Sequence, residues 1–175
     1  MKMTSFFKMS VLAAGMVAAM GANAGDTGVL NVTGTVIASS CVVDPSSTTD
    51  VPMGTLSAAD FTAVGSISPK QDITLNLTGC PLSQTGVMFA ANGAADATNN
   101  QLLALSADSI ASGLGIALYN KGGDLIPMHS ASAAAPIDAE AGTATINLEA
   151  AAMSTADAVT GGAFNATTTF TLSYN

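Results

Sequence analysis

Apolar side chains recur at every second position in short stretches of this chain, and Gly, Asn, Asp and Pro clusters separate those stretches. Side chains alternate across a β-strand, so this period marks strands with one buried face. Residues 28–37 (GVLNVTGTVI) place Leu30, Val32 and Val36 on one face, with Gly34 in the same phase. Residues 51–53 form a short strand candidate ahead of Gly54, and Ile73, Leu75 and Leu77 alternate up to Cys80. Residues 87–90 read as a buried run. Residues 115–119, the turn 121–124 and residues 125–126 carry a hairpin signal. Residues 144–148 alternate through Ile146 and Leu148, and the chain closes on TTTFTLSYN, with Phe170, Leu172 and Tyr174 on one face.

Helical periodicity is weak. Residues 57–61 suit a single turn, and residues 99–107 suit a short helix or another strand. The alanine-rich runs 131–135 and 150–152 are short and flanked by Gly, Pro or Ser, and are expected to be loops. About seven short antiparallel strands in one domain predict an all-β, immunoglobulin-like sandwich.

The first 24 residues stand apart from this pattern. Lys2 and Lys8 precede an uncharged apolar run over 9–20, and Ala22-Asn23-Ala24 follows. That order predicts a secretory signal peptide over 1–24. Beyond it lie all 12 acids but only Lys70 and Lys121, so the mature chain carries a net charge of −10. No basic stripe is present to grip phosphates, which argues against a nucleic-acid partner. With so few charges overall, the surface is largely Ser, Thr, Asn, Gln, Ala and Gly, which suits a subunit buried in an assembly. Export to an oxidising compartment predicts a disulfide between the two cysteines, Cys41 and Cys80. A two-cysteine metal site would lack partners, because His129 is the single histidine.

Both ends of the mature chain carry clean apolar alternation, although terminal segments normally fray and exposed apolar edges invite aggregation. Gly34 stands seven residues before Cys41, with Val32 and Leu30 two and four before it and Val36 two after. A short VPMG segment follows, LTGC closes the strand at Cys80, Tyr174 is penultimate, and Gly162 is fourteenth from the C-terminus. In this order and spacing, the whole mature chain resembles the major structural subunits of chaperone–usher pili, the type 1 fimbrial pilins. It departs from them at Val32, where those subunits often carry phenylalanine.

The resemblance implies an incomplete immunoglobulin-like β-sandwich whose seventh strand is missing. Residues 25–37 would form a donor strand and 38–175 the domain. A periplasmic chaperone would fill the open groove first; at the outer-membrane usher, a neighbouring subunit's donor strand would displace it. Leu30, Val32 and Val36 would be the anchors, worth roughly 5–8 kcal/mol in transfer terms. Gly34 would let the backbone lie close over a shallow pocket. On the acceptor side Gly162, Phe170, Leu172 and Tyr174 would border the groove and meet the chaperone. The product would be a homopolymeric surface fimbrium serving adhesion, with no cofactor and no small-molecule substrate.

The chemistry of an enzyme is not legible. His129 has no nucleophile elbow beside it, and the acids follow no calcium-loop spacing; Asp138 and Glu140 in PIDAEAG read as a solvated face. The second reading is a small carbohydrate-binding module or a minor adaptor or adhesin. The absence of Trp and the presence of two Tyr make poor material for stacking on sugars.

Overall fold

The computed structural model describes residues 31–34 and 40–175. The expected signal peptide over 1–24 and the expected anchors Leu30 and Val36 lie outside the described residues. The chain divides into units Met1–Thr35 and Val36–Asn175, and the second holds the fold.

Eight strands are described: β1 (Val42–Val43), β2 (Gln71–Thr78), β3 (Gly86–Ala91), β4 (Leu114–Asn120), β5 (Leu125–Ile126), β6 (Ala135–Asp138), β7 (Thr143–Ser154) and β8 (Phe170–Tyr174). A single 3-10 turn, Ala58–Asp60, sits where the sequence suits one, with Ser57 Oγ accepting the Ala59 N–H. Every strand pair is antiparallel. The expected hairpin joins β4 and β5, and Gly122 and Gly123 supply the positive φ angles (111° and 113°) that its turn requires.

The long strand β7 is the spine. One edge pairs with β2 from Ala144 to Ala150, and the other meets β6 and then β4. The short β6 turns the corner between layers: Ala135 and Pro136 pair with β3, Ile137 and Asp138 with β7. β3 pairs along its length with β8, which closes the second layer. The core lies between the layers. Leu75, Leu77, Ile116, Leu118, Ile146 and Leu148 from the first face Val87, Phe89 and Ala91 from the second. The Phe89 and Phe170 rings stack at 5.2 Å.

The alanine run 150–152 is not a loop but the second half of β7, and all three residues are buried. Strict alternation ends there because the sheet is covered on both faces. Ala150 and Ala152 face the main core, while Ala151 joins Ala117, Tyr119 and Leu102 in a satellite cluster on the outer face. Leu102 is fully buried over this seat, and a side-chain carbon on neighbouring Gly115 would lie 3.0 Å from Leu102 Cβ. Small residues are what allow Leu102 to approach. Residues 99–107 therefore form neither helix nor strand. They are a loop pinned by the bridges of Leu103 to Ala95 and to Ile116, which drop Leu103 into the core and Leu102 onto the outside. In the run 131–135, Ala131 bridges to Ala90 and Ala135 opens β6. Residues 51–53, a strand candidate, pair with no strand among the described residues.

Candidate functional site

A groove of about 960 Å³ opens on the main core. Residues 49–56 form one rim and residues 159–168 the other. Its floor is apolar, built from Phe61, Ile73, Leu103, Leu114, Ile116 and Leu118.

Among the described residues, 49–56 and 164–168 are extended chain without a backbone partner on the groove side, while Thr160 pairs with Ser112. In the C-terminal rim, Phe164, Ala166 and Thr168 are half-buried while Asn165, Thr167 and Thr169 are exposed. That alternation runs on through Phe170, Leu172 and Tyr174, so this rim is β8 extended backwards. Three of its odd-numbered carbonyls are used. Ala163 accepts from Ile110 and Ala111, Asn165 from Ser106, and Thr169 from Asn92. Among the described residues, the backbone groups of Phe164, Ala166 and Thr168 bond to no other backbone. The same holds for residues 49–56. There Val51 and Met53 point inward, Gly54 (φ 69°) shifts the phase by one residue, and Leu56 points inward again. Two unpaired backbone edges flanking an apolar floor make a slot for one extended strand, since a buried backbone group left unpaired costs free energy.

The sequence-derived positions distribute as follows. Gly162 lines the groove, and a side-chain carbon there would lie 2.6 Å from Ile110 Cγ2 and 2.9 Å from the Ala111 nitrogen. Only a glycine admits this approach. Phe170, Leu172 and Tyr174 pack against the core but lie beyond the groove lining, where their strand already pairs with β3. Of the rim residues that do line it, Val51 and Met53 fall in the 51–53 strand candidate, whereas Leu56, Phe164 and Ala166 carry no pattern that marks them. The polar Thr167–Thr169 triplet hides the continuation upstream of Phe170, and Gly54 breaks the period on the other rim. Val32 is 84% exposed, and nothing lies within 4 Å of where a Gly34 side chain would begin.

Cys41 and Cys80 are joined in a disulfide, with their Cα atoms 4.1 Å apart. β1 makes this possible by pairing Val42 with Thr78 and Val43 with Leu77. Tyr174 Oη accepts the Cys41 N–H at 2.7 Å, so the end of β8 is tied to the same place. Charge collects elsewhere. Lys70 and Lys121 both bond Glu149, Lys121 also bonds Asp72, and Lys70 sits 3.9 Å above the Tyr119 ring. The Lys70 and Lys121 ammonium groups hold the Glu149 carboxyl below the usual glutamate value, and Asp72 and Glu149 raise Lys121. Burial pushes the Tyr119 phenol up against the opposing pull of Lys70. Lys70 and Lys121 are thus both engaged in ion pairs with Glu149, and neither lines the groove. His129 is exposed with a left-handed backbone (φ 63°), its N–H donating to the Ala91 carbonyl.

An open sandwich with a strand-shaped slot is an architecture with known relatives. The family model described as "Fimbrial protein" matches residues 30–175. The chain belongs to the fimbrial protein family. The long polar fimbria protein A of Salmonella typhimurium strain LT2 is 30% identical over 171 residues, covering 96% of this chain and 94% of that protein. The crystal structure of an antigen and type I fimbria protein of Burkholderia pseudomallei is 31% identical, with a TM-score of 0.60, covering 79% of this fimbrial subunit and 91% of that chain. The crystal structure of the P pilus rod subunit PapA, at 22% identity, shares the fold with a TM-score of 0.64, covering 77% and 99%. This fimbrial protein is accordingly a structural subunit, exported and assembled into a surface fimbria, and its partners are other subunits.

Proposed function

We propose that the fimbrial subunit polymerises by donor-strand exchange. Residues 1–24 are removed on export, residues 25–37 leave as the donor strand, and the groove between rims 49–56 and 159–168 receives a neighbour's copy of that strand. The observation that carries this reading is the groove itself, with an apolar floor and two rims whose inward backbone edges have no partner among the described residues. An incoming strand adds a ladder of hydrogen bonds on both edges and buries its alternate side chains on the floor. Leu30, Val32 and Val36 supply those side chains, and Gly34 lets the backbone pass close. A periplasmic chaperone occupies the groove before assembly, and the outer-membrane usher is where the exchange takes place. Gly162, Phe170, Leu172 and Tyr174 belong to the strand the chaperone holds, with Gly162 at the groove and the other three continuing beyond it. The subunit has no catalytic role.

Replacing Gly34 with leucine tests the register. The variant Gly34→Leu is expected to bind its chaperone normally, because the chaperone fills the groove with its own strand, and to form no fibres. Fibres of normal length from Gly34→Leu subunits would show that Gly34 does not face the groove.

A further inference from the structure

The two rims of the groove are held very differently. Residues 49–56 make no backbone–backbone hydrogen bond among the described residues. The C-terminal rim is bonded along its outer edge, away from the groove. β3 pairs with this chain from Tyr174 back to Phe170, and the Asn92 N–H then donates to the Thr169 carbonyl. Upstream of Thr169 β3 has ended, and residues 106–112 take its place. Ser112 exchanges two backbone bonds with Thr160, the Ile110 and Ala111 N–H groups both donate to the Ala163 carbonyl, and the Ser106 N–H donates to the Asn165 carbonyl.

Asn165 carries the densest set of these bonds. Its N–H donates to Ser109 Oγ at 3.1 Å, and the same hydroxyl donates back to the Asn165 carbonyl at 3.1 Å. One side chain thus makes the pair of bonds that a facing residue makes in an antiparallel ladder. The Asn165 side-chain amide adds a bond to Asp108 Oδ2 at 3.2 Å. Gly162 lets the loop close in, since a side-chain carbon there would lie 2.6 Å from Ile110 Cγ2. The Ser109 N–H donates to the Ser106 carbonyl at 2.9 Å, which folds this part of the loop into a turn of its own.

We propose that residues 106–112 are a brace that keeps the C-terminal rim in strand form before the groove is filled, with Ser109 and Asn165 as positioning residues, so that an incoming strand pairs with this rim first and draws in residues 49–56 afterwards. The inference rests on the donor-strand reading and adds an order of events to it. Fixing backbone costs conformational entropy, and a segment already held extended has lost that freedom before it binds. The inward N–H and C=O groups of Phe164, Ala166 and Thr168 are therefore presented at strand spacing from the start. The opposite rim is fastened at its ends, by the Thr48 N–H bond to the Thr74 carbonyl and by the buried Phe61. Between them Gly54 has φ 69° and nothing within 4 Å of where a side chain would begin. That rim takes its ladder geometry from the strand it receives.

The test adds an excess of a synthetic peptide of residues 28–37 to dilute refolded subunit 25–175 and labels amides with short deuterium pulses during uptake. The Phe164, Ala166 and Thr168 amides are expected to gain protection in an early phase, and those of residues 51 and 53–56 in a later one. Ser109→Ala should slow the early phase by about fivefold or more, the factor that goes with losing one or two hydrogen bonds. Ser109→Thr, which keeps the hydroxyl, should restore the rate. The urea midpoint of the peptide-loaded subunit should be the same for all three chains, because the inserted strand then holds the rim. Protection of both rims in one phase, or of 49–56 first, would overturn the order of pairing and leave strand exchange standing. An unchanged rate in Ser109→Ala, or a loaded subunit destabilised as much as its uptake is slowed, would remove Ser109 as a positioning residue. Failure of the peptide to protect either rim of the unsubstituted subunit would refute the donor-strand reading, and the brace would fall with it.

Discussion

Replacing both Cys41 and Cys80 with alanine should cost this subunit most of its stability. The bridge spans 39 residues of sequence, and closing a loop of that length lowers the entropy of the unfolded chain by an amount worth about 4 kcal/mol at room temperature. Domains are typically stable by only about 5–15 kcal/mol in total. An open groove removes part of the usual core from this subunit, which places it toward the lower end. β1 is two residues long and pairs only with the last turn of alternation in β2, so little else holds Cys41 in place once the bridge is gone. The Tyr174 bond to the Cys41 N–H depends on that placement as well. Urea denaturation of the full chain, followed by circular dichroism, gives the measurement. With a slope of about 2 kcal/mol per molar urea, the midpoint should fall by about 2 M. Reduction of the unsubstituted protein should give the same shift without removing any heavy atom from the core. A midpoint change below about 0.5 M in both experiments would show that the loop is already constrained in the unfolded chain, and the entropic argument would fail.

Two further perturbations address parts of the fold that the groove does not touch. Ala151→Leu should destabilise the subunit by about 1–3 kcal/mol, because Ala151 is fully buried beneath Leu102 and has no room to grow; thermal melts that match the unsubstituted protein would refute the two-sided packing of β7. The Glu149 carboxyl is held below its ordinary value of 4.5, first by Lys70 and then by Lys121. Its contribution is therefore present above pH 4.5 and lost as pH falls through the lowered value. The raised Lys121 contributes below its ordinary 10.5, and that part is lost as pH climbs through the raised value. Melts at pH 7 and pH 3 should show a smaller acid loss for Glu149→Gln than for the unsubstituted subunit, and equal losses would remove Glu149 from the account.

The strands with a single buried face were legible because alternation is enforced wherever one side meets the core and the other meets water. β2, the start of β7 and β8 are of this kind, and the glycine turn announced the β4–β5 hairpin. Pattern fails where that condition lapses. The end of β7 is covered on both sides, so its alanines lose the period and resemble a loop, and alanine's low strand preference strengthens the wrong impression. β1 is too short to show a period, and β6 divides its pairing between two strands. The groove was legible only in part. The spacing around Gly162 marks its place, and the C-terminal alternation marks the strand. Phe164 and Ala166, which line the groove, are separated from Phe170 by threonines. Val51, Met53 and Leu56 are split by the phase shift at Gly54. The lysine cluster on Glu149 joins residues from β4–β5, β7 and the start of β2, a meeting that only the sheet register brings about.

The central claim is that residues 25–37 of one subunit complete the groove of the next. Periplasmic expression of residues 25–175, with and without residues 25–37, followed by electrophoresis of unheated detergent samples, tests it most directly. The account predicts a ladder of multimers from the longer chain that collapses on boiling, and no ladder from the shorter one. Ladders from both chains, or soluble monomers from both, would contradict it: the first would place the polymer contact outside the donor strand, and the second would mean that the sandwich is complete without one.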